Sequence, residues 1–309
     1  MATSRADTLP SGMRERTFAL VHSDTNDVLM FGRGTDYPCS EYVFPAVETS
    51  GDKFSIHGNH ASAFGQMDIS SDYFEASFWT TEPHAADKMS RIVSAWTMAN
   101  FQRPRSGLHH LYYVLGGRTR MMYGVPDRIA PKYNGFKTSF HEGILRFATS
   151  SPFYFDSREV TADSGTMIPA LATGATYTST FFTESYTEVP TPLSFDIWTD
   201  NDTVKLDVKV EIRNAEGGWR TVLLLEGMDG RMKIDNFPGR ATSSHEPPNV
   251  TPSTPMTTGA DLISPSTPAF RNMLLWPGDD QFRVSVTSKN SVAADVAAII
   301  KWRDCYAGA

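Results

Sequence analysis

The chain has 309 residues, of which 12% are aromatic and 20% are charged, and its formal net charge is −7. This length suits either one large β domain or two average domains. The modest negative charge excludes a strong overall attraction to nucleic acid or to an anionic membrane surface.

The start of the chain is small, polar and without a hydrophobic pattern. We expect residues 1–15 to form an arm that becomes ordered only by lying on a neighbouring subunit. The first 16 residues hold three arginines against two acidic residues, so the arm is not polybasic. Any contact with RNA is therefore expected to be weak or indirect.

Cysteine content and hydropathy indicate the compartment. The two cysteines, Cys39 and Cys305, are far apart and have no metal-ligand spacing, and the chain begins without a secretory signal pattern. Folding in a reducing cytoplasm is the simplest interpretation. No apolar run approaches the roughly 20 residues that span a bilayer, so we expect a soluble protein without a membrane span.

Short apolar runs start after the arm. Residues 18–21 and 28–31 flank the polar segment 23–27 and predict a hairpin, and residues 73–79 predict a further strand. Aromatic and β-branched side chains with Gly and Pro punctuation are typical of many short strands joined by turns.

One segment predicts a helix. Thr80-Thr-Glu-Pro83 supplies a candidate N-cap threonine, an acidic residue and a first-turn proline. Met89, Ile92, Val93 and Trp96 then follow at helical spacing and form one apolar stripe. We expect this helix to end near residue 100.

A second hairpin follows the helix. The runs 108–115 and 118–123 are joined by Gly116-Gly117, and a two-residue glycine turn is a strong hairpin signal. The second run is expected to stop at Gly124-Val-Pro126, because proline cannot donate a ladder hydrogen bond.

The rest of the chain predicts more strands. The clearest is 204–212, where five aliphatic residues alternate with four charged ones, so that one face is buried and the other is polar. The other predicted strands are 144–148, 177–182, 193–198, 221–225, 273–276, 282–286 and 292–302.

A Pro-, Ser- and Thr-rich stretch interrupts this series at residues 243–268. Its prolines and low apolar content predict an exposed loop. The stretch could separate two domains. We favour a long excursion within one domain over residues 16–309, because the following 40 or so residues would be marginal alone.

Three stretches carry a resemblance to a known family. Residues 98–114 read MANFQRPRSGLHHLYYV, residues 121–126 read MMYGVP, and residues 145–154 read LRFATSSPFY. Their order after one early helix resembles the major coat proteins of picorna-like viruses, order Picornavirales. There, a helix leads into a strand opened by an aromatic and an Arg-Gly or Arg-Ser-Gly element. The paired strands 193–199 and 204–212 then take the place of the family's last hairpin-like segments.

The resemblance implies a fold and a function. The expected fold is all-β: an eight-stranded antiparallel jelly-roll β-sandwich with one or two short helices and a long C-terminal extension. The implied function is that of a virion protein, one of the major subunits of an icosahedral, pseudo T=3 shell around a positive-strand RNA genome. Its expected partners are copies of itself, sibling capsid proteins and, through exposed loops, a host receptor. Assembly is expected in the host cytoplasm.

The sequence predicts no catalytic, cofactor or metal site. His57-Gly-Asn-His60 and His109-His110 are the densest potential ligands, but neither spacing places two imidazoles on one ion. Neither cysteine lies in a recognisable nucleophile turn. The adjacent acids Asp279-Asp280 are interpreted as a solvated turn with diverging side chains. Asn201-Asp-Thr203 and Asn249-Val-Thr251 match the glycosylation triplet, but are expected to stay unmodified.

Three alternatives accompany the coat-protein interpretation. A carbohydrate-binding β-sandwich would use exposed Trp219 and Trp276. A hydrolase on a β scaffold is a second alternative, although no catalytic set can be named for it. A third hypothesis adds acid-triggered release, because Arg105, His109 and His110 lie close together in the sequence and imidazole gains charge near pH 6.

Overall fold

The protein is described by a computed structural model. The model covers residues 3–7, 9–45, 48–55, 62–70, 73–102, 104, 107–135, 139–167, 173–199, 201, 203–237, 240–246, 273–290 and 294–307. In these residues there are 23 strands and one α-helix, and all the strand pairs given below are antiparallel. The predicted all-β class is confirmed. The jelly-roll topology and the count of eight strands remain predictions.

The secondary-structure elements follow the chain in this order: β1 (Thr3–Asp7), β2 (Thr17–Val21), β3 (Val28–Gly32), β4 (Cys39–Val43), β5 (Glu48–Ser55), β6 (Ser62–Ser70), β7 (Tyr73–Thr81), α1 (Ala85–Phe101), β8 (His109–Leu115), β9 (Arg118–Lys132), β10 (Phe140–Thr149), β11 (Tyr154–Asp156), β12 (Arg158–Met167), β13 (Thr176–Phe182), β14 (Thr191–Pro192), β15 (Ser194–Thr199), β16 (Leu206–Arg213), β17 (Trp219–Met228), β18 (Arg231–Phe237), β19 (Arg240–Glu246), β20 (Leu274–Leu275), β21 (Gln281–Ser288), β22 (Val296–Trp302) and β23 (Cys305–Tyr306).

The chain forms two compact units. We call Leu9–Ser157 with Ala307–Ala309 the helical unit, and Met1–Thr8 with Arg158–Tyr306 the sandwich unit. The sequence predicts a single domain over 16–309. The structure contains two separate clusters of buried hydrophobic side chains, one within each unit. An apolar side chain is stabilised only by the core that removes it from water, so each unit has its own source of stability.

The helical unit is built on one large sheet with the strand order β3-β2-β8-β9-β10-β7-β4, and β11 pairs with β9. Strands β5 and β6 form a separate two-stranded ladder. The predicted pairing of 18–21 with 28–31 is confirmed, because β2 and β3 are antiparallel partners.

Helix α1 covers one face of this sheet. Met89, Ile92 and Trp96 are fully buried against it and Val93 is partly buried, so the predicted apolar stripe is confirmed. The predicted threonine cap is wrong. His84 occupies the N-cap with a left-handed backbone (φ 65°) and makes no side-chain capping bond. Burial of the stripe rather than a cap therefore holds the helix.

The hairpin of β8 and β9 forms where predicted. Leu115 pairs with Arg118 across Gly116 and Gly117, whose φ angles are 60° and 73°. Two successive positive φ angles are what a two-residue turn with the right twist requires, and glycine adopts them without steric cost.

Strand β9 does not stop at Gly124-Val-Pro126 as predicted, but continues to Lys132. Pro126 is opposite Phe147 beside a register shift between Arg146 and Phe147. At this irregularity a missing N–H is tolerated. Gly124 permits a close approach, because a Cβ there would lie 2.1 Å from the carbonyl oxygen of Ala148.

The sandwich unit contains two principal sheets. One has the order β1-β12-β22-β15-β18-β19 and the other β13-β21-β16-β17, while β14 and β20 form a small ladder. Side chains from both principal sheets belong to one buried cluster, so the sheets pack face to face. For example, Phe282 of β21 lies 5.6 Å from Trp302 of β22, between ring centroids.

The alternating segment 204–212 has the predicted arrangement. In β16, Leu206, Val208, Val210 and Ile212 are fully buried, and the intervening side chains point to the opposite face. This strand lies inside its sheet, between β21 and β17.

The segments after the Pro-rich stretch occupy central positions. Strand β21 lies between β13 and β16, and β22 lies between β12 and β15. They are part of the same core as the strands that precede the stretch. Residues 243–246 belong to β19, and 247–268 lie outside the described residues.

The predicted arm also contributes to a sheet. Strand β1 pairs with β12 of the same chain, with Arg5 opposite Val160. The backbone of residues 3–7 is therefore hydrogen-bonded to a strand of its own chain. Its strand conformation does not require a neighbouring subunit.

Candidate assembly surface

The outer face of the helical unit's sheet displays apolar side chains to solvent. Val43 is 63% exposed, Ile144 43% and Tyr73 41%. A monomeric protein normally places polar residues on such a face. We call Val43, Tyr73, Glu75, Ile144 and Arg146 the Tyr73 patch.

Strand alternation places these residues together. Leu145 and Phe147 of β10 are fully buried, so Ile144 and Arg146 point outward. On the neighbouring strands, Glu75 is opposite Arg146, and Val43 is opposite Glu75. The patch therefore crosses three strands, β4, β7 and β10.

Two polar contacts hold the patch in one arrangement. The Arg146 guanidinium lies 4.3 Å from the centroid of the Tyr73 ring. It also donates from Nε to Glu75 Oε2 at 3.2 Å. Tyrosine and arginine are enriched at the centres of protein interfaces, and pre-ordered side chains lose less entropy on binding. The patch has the chemistry of an interface anchor.

The patch also reaches the edge of the sheet. β4 is the last strand in the order, and its ladder with β7 shifts register between Cys39 and Glu41. Open strand edges expose backbone groups that another chain can pair with, and a bulge limits such pairing. Docking is therefore favoured on the face rather than at the edge.

The sandwich unit has a different outer face, on the sheet β13-β21-β16-β17. Its charged side chains pair with one another: Arg283 Nε donates to Glu211 at 2.8 Å, and Lys209 Nζ lies 2.7 Å from the other Glu211 oxygen. Burial raises the pKa of Glu211, but hydrogen bonds from Lys209 and Arg283 outweigh it and lower the pKa below the ordinary value. Most charge on this face is satisfied internally.

The two tryptophans singled out in the sequence lie at one end of this sheet. Trp219 pairs with Arg213 in the ladder, and the Arg283 guanidinium lies 4.1 Å from its ring centroid. Trp276 is 49% exposed, in the turn before Asp280, which bonds Arg213. Arginine therefore covers one ring face of Trp219, while Trp276 is half open.

The adjacent histidines His109 and His110 differ in burial: His109 is buried and His110 is partly buried. His109 is fully buried, and its Nε2 lies 2.8 Å from the carbonyl oxygen of Ala99 near the end of α1. His110 packs edge-on against Tyr123, at 5.1 Å between ring centroids. His57, His60 and Arg105 lie outside the described residues.

One histidine contact was missed at the sequence level. His22 lies edge-on to His109 at 4.9 Å, and its Nε2 is 2.7 Å from the carbonyl oxygen of Gln102. Two imidazoles therefore meet the carbonyl end of α1, where no basic residue occupies the last turn. Because His22 and His109 are far apart in the sequence, its patterns did not predict this arrangement. The two imidazoles contact backbone carbonyl oxygens at the C-terminal end of the helix.

Both cysteines are thiols and neither forms a disulfide. Cys305 is fully buried. Burial raises the pKa of the Cys39 thiol to about 12, so the nucleophilic thiolate is scarce at neutral pH.

The adjacent acids Asp279 and Asp280 bond different partners. Asp280 bonds Arg213 and is about half exposed, whereas the Asp279 side chain is 2% exposed. Asp279 accepts from Arg220 at 2.5 Å and from the backbone N–H of Trp276 at 2.8 Å. The side chains diverge as predicted, but Asp279 stabilises a turn and is not solvated.

Other predicted sites have structural explanations. Asn201 Oδ1 accepts from the backbone N–H of Thr203 at 2.9 Å, and residues 249–251 lie outside the described part. Among the described residues, no three His, Cys, Asp or Glu side chains gather as a metal site would require. In the same part of the chain, no helix is both long and apolar enough to cross a membrane.

Comparison with known proteins identifies the fold. No protein-family model matches the sequence, and no curated protein matches it. The chain is similar in structure to the Dit protein (gp 19.1) of phage SPP1, titled a paradigm of the hub adsorption apparatus in Gram-positive infecting phages. The TM-score is 0.51 at 11% identity, over 94% of this chain and 99% of the Dit chain.

A second similarity is to a chain of the phage P2 baseplate in its activated conformation with Ca. There the TM-score is 0.50 at 9% identity, over 92% of this chain and 97% of that chain. The same baseplate with Sr gives a TM-score of 0.51. At such identities the likeness shows a shared β-rich fold.

Proposed function

We propose that this chain is a non-catalytic structural protein of a virus particle, and more specifically a hub-type subunit of a phage adsorption apparatus or baseplate. The supporting observation is the extent of the fold likeness, which spans at least 92% of this chain and at least 97% of each phage protein. A likeness restricted to one sandwich would support only a shared module, because common folds host unrelated functions.

The Tyr73 patch gives this proposal a physical basis. A hub subunit needs a surface that binds further copies, and the patch combines exposed apolar groups with a tyrosine and an arginine held in place. Repeated use of one surface against a different surface on the next copy forms a ring if the rotation closes. We propose that the patch contacts a second copy of this chain within the virion.

The test measures the assembly state of the purified chain. Light scattering and negative-stain microscopy should show a closed oligomer whose population rises with concentration. Replacing Ile144 with Asp and Val43 with Asp should shift the protein to monomers, because association would bury two unpaired carboxylates. Circular dichroism should be unchanged, since both side chains point outward.

The matched control is Phe182→Asp. Phe182 is 64% exposed but belongs to the sandwich unit, outside the patch. This variant should assemble like the natural chain. A natural chain that stays monomeric up to high concentration, with or without other virion proteins, would overturn the assembly role. Equal loss of assembly in all variants would overturn the assignment to the patch.

The finer role predicted from the sequence is a subunit of a picorna-like, pseudo T=3 icosahedral shell around positive-strand RNA, assembled in the host cytoplasm. The resembling stretches fall into both units, with residues 98–126 and 145–154 in the helical unit and 193–212 in the sandwich unit. A single jelly roll would bring them into one core. The hub proposal therefore has more support, and microscopy distinguishes a ring from a shell.

A second candidate function is saccharide binding by the sandwich unit. The half-exposed Trp276 favours it, since an open aromatic ring can stack on a sugar. A glycan array should show saturable binding that Trp276→Ala removes and Trp198→Ala retains. Equal binding by both variants would exclude this end of the sheet.

A further inference from the structure

An open pocket of about 550 Å³ lies in the helical unit beside the bulge of β4. Its lining shares no residue with the Tyr73 patch. Its lining combines cationic, aromatic and hydroxyl-bearing groups: Arg16, Arg33, Ser40, Glu41, Tyr42 and Trp79.

The backbone holds the two arginines next to each other. The N–H of Arg33 donates to the carbonyl oxygen of Arg16 at 2.9 Å, and the N–H of Arg16 donates to Val114 at 2.8 Å. Gly32 permits this contact, since a Cβ there would lie 2.4 Å from the Arg16 oxygen. Arg16 has a φ of 62°. A non-glycine residue in this region is strained, and such residues cluster at functional sites.

Both guanidinium groups are exposed and available for a ligand. Within the described part of the chain, neither forms an ion pair with an acidic side chain at salt-bridge distance. The nearest acid along the chain is Glu15. Its carboxylate is bonded by the backbone N–H groups of Gly116 at 2.8 Å and Gly117 at 3.2 Å. These two bonds lower the pKa of the Glu15 carboxyl group, and the positive charges of Arg16 and Arg33 both help to lower it. The guanidinium groups of Arg16 and Arg33 therefore supply N–H donors to the pocket.

The pocket lining also includes an aromatic ring and oxygen acceptors. Trp79 is half-buried, and its backbone N–H donates to Pro38 at 3.0 Å, which fixes its strand against the lining. Ser40 lies in the register shift between Cys39 and Glu41, where a bulge redirects side chains. Ser40 and Glu41 are exposed and can bond ligand hydroxyls.

We propose that this pocket binds the phosphate ester of a sugar or polyol. Arg16 and Arg33 bind the phosphate, Trp79 packs against the carbon skeleton, and Ser40 and Glu41 bond its hydroxyl groups. Glu41 favours a neutral, hydroxyl-rich body over a second phosphate, because its carboxylate would repel one. A nucleic acid strand would need a longer basic track than two arginines beside a carboxylate.

Binding at this pocket is non-covalent. Cys39 lines the pocket, but its raised pKa leaves it a neutral thiol. All the proposed ligand groups belong to one chain, so the site does not depend on assembly. If the chain does not assemble, the binding proposal is unaffected. If the pocket does not bind the phosphate ester, the proposed hub role is unaffected.

The test titrates the full chain with glucose 6-phosphate, followed by calorimetry and tryptophan fluorescence. We expect saturable binding, with glucose alone and inorganic phosphate alone each at least 10-fold weaker. Arg33→Gln and Arg16→Gln should each weaken binding about 10-fold or more. Arg118→Gln is the matched control, since Arg118 is an exposed arginine of the same unit outside the pocket, and it should bind normally.

A second arm identifies the source of the ligand. A glycerol phosphate polymer that binds while the monomer does not, and that loses binding in the same two variants, would assign the site to a phosphate-linked surface polymer. Inorganic phosphate as tight as glucose 6-phosphate would overturn the proposal in favour of a plain anion site. Unchanged binding in both arginine variants, or equal competition by oligothymidylate, would also overturn it.

Discussion

Gly124 offers the sharpest test of how the helical unit is packed. It lies in β9 between β8 and β10, opposite His109 on one side and Thr149 on the other. A Cβ added there would lie 2.1 Å from the Ala148 carbonyl oxygen and 2.7 Å from the Phe147 ring, whereas ordinary contact begins at 3.4 Å. We predict that Gly124→Ala forces β9 and β10 apart.

The size of the effect follows from what has to move. The nearest obstacle is backbone, and the Phe147 ring is fully buried, so neither yields by a simple side-chain rotation. Overpacking of this kind costs about 1–3 kcal/mol, and we expect the upper end because ladder hydrogen bonds are strained as well. For a unit of about 150 residues, 3 kcal/mol lowers Tm by roughly 6–12 °C.

The control is Gly135→Ala. A Cβ at Gly135 meets nothing within 4 Å, and this glycine has no positive φ. The control should stay within about 0.5 kcal/mol of the natural chain. Hydrogen exchange with mass spectrometry should localise the Gly124→Ala loss to peptides of the helical unit. Equal melting of the two variants, or a loss shared equally by the sandwich unit, would refute the reasoning.

Three further predictions concern charge and thiol chemistry. Asp279→Asn should destabilise the sandwich unit by about 2 kcal/mol in urea denaturation because it weakens a buried ionic contact, while Asp280→Asn, at an exposed pair, should change little. Hydrogen bonds from the Gly116 and Gly117 amides lower the pKa of Glu15, so this carboxylate's contribution is complete above its ordinary value of about 4.3 and is lost as pH falls through the lowered pKa. An NMR titration of the Gly116 amide should therefore have a midpoint below that value, and a higher midpoint would contradict the geometry. Because the pKa of Cys39 is raised to about 12, this partly buried thiol should react at pH 8 more than about 100-fold slower in the native than in the denatured chain, and equal rates would show that its pKa is not raised.

Local patterns predicted the local structure. Alternation over 204–212 predicted both the strand and its buried face, because strand periodicity places every second side chain on one side. Gly116-Gly117 predicted a hairpin because few residues adopt two successive positive φ angles. The apolar stripe from Met89 to Trp96 predicted a helix because helical periodicity places these side chains on one face.

Features that depend on distant partners were not predictable in this way. The interpretation of Gly124 and Pro126 as a strand end failed because the close approach of Ala148 and the irregularity at Phe147 come from another strand. The division into two units escaped detection because nothing around residue 157 has the composition of a linker.

The Tyr73 patch was also invisible at the sequence level. Residues 144–148 read as an ordinary strand, and alternation alone does not reveal which of Ile144 and Leu145 faces the core. Only the register of three strands shows that Ile144, Val43 and Tyr73 share the solvent face. The pocket beside β4 likewise depends on the pairing that places Arg16 beside Arg33.

The central positions of β21 and β22 determine when the sandwich unit can form during synthesis. Until residues 281–302 have left the ribosome, β13 and β16 have no strand between them, and neither have β12 and β15. Strands β12, β13, β15 and β16 must therefore each wait for a missing neighbour, whereas nearly all of the helical unit has already been made. Chaperone dependence and aggregation during expression should accordingly arise from the later-made half of the chain, and a nascent chain stalled before residue 281 should be protease-resistant only in its earlier half.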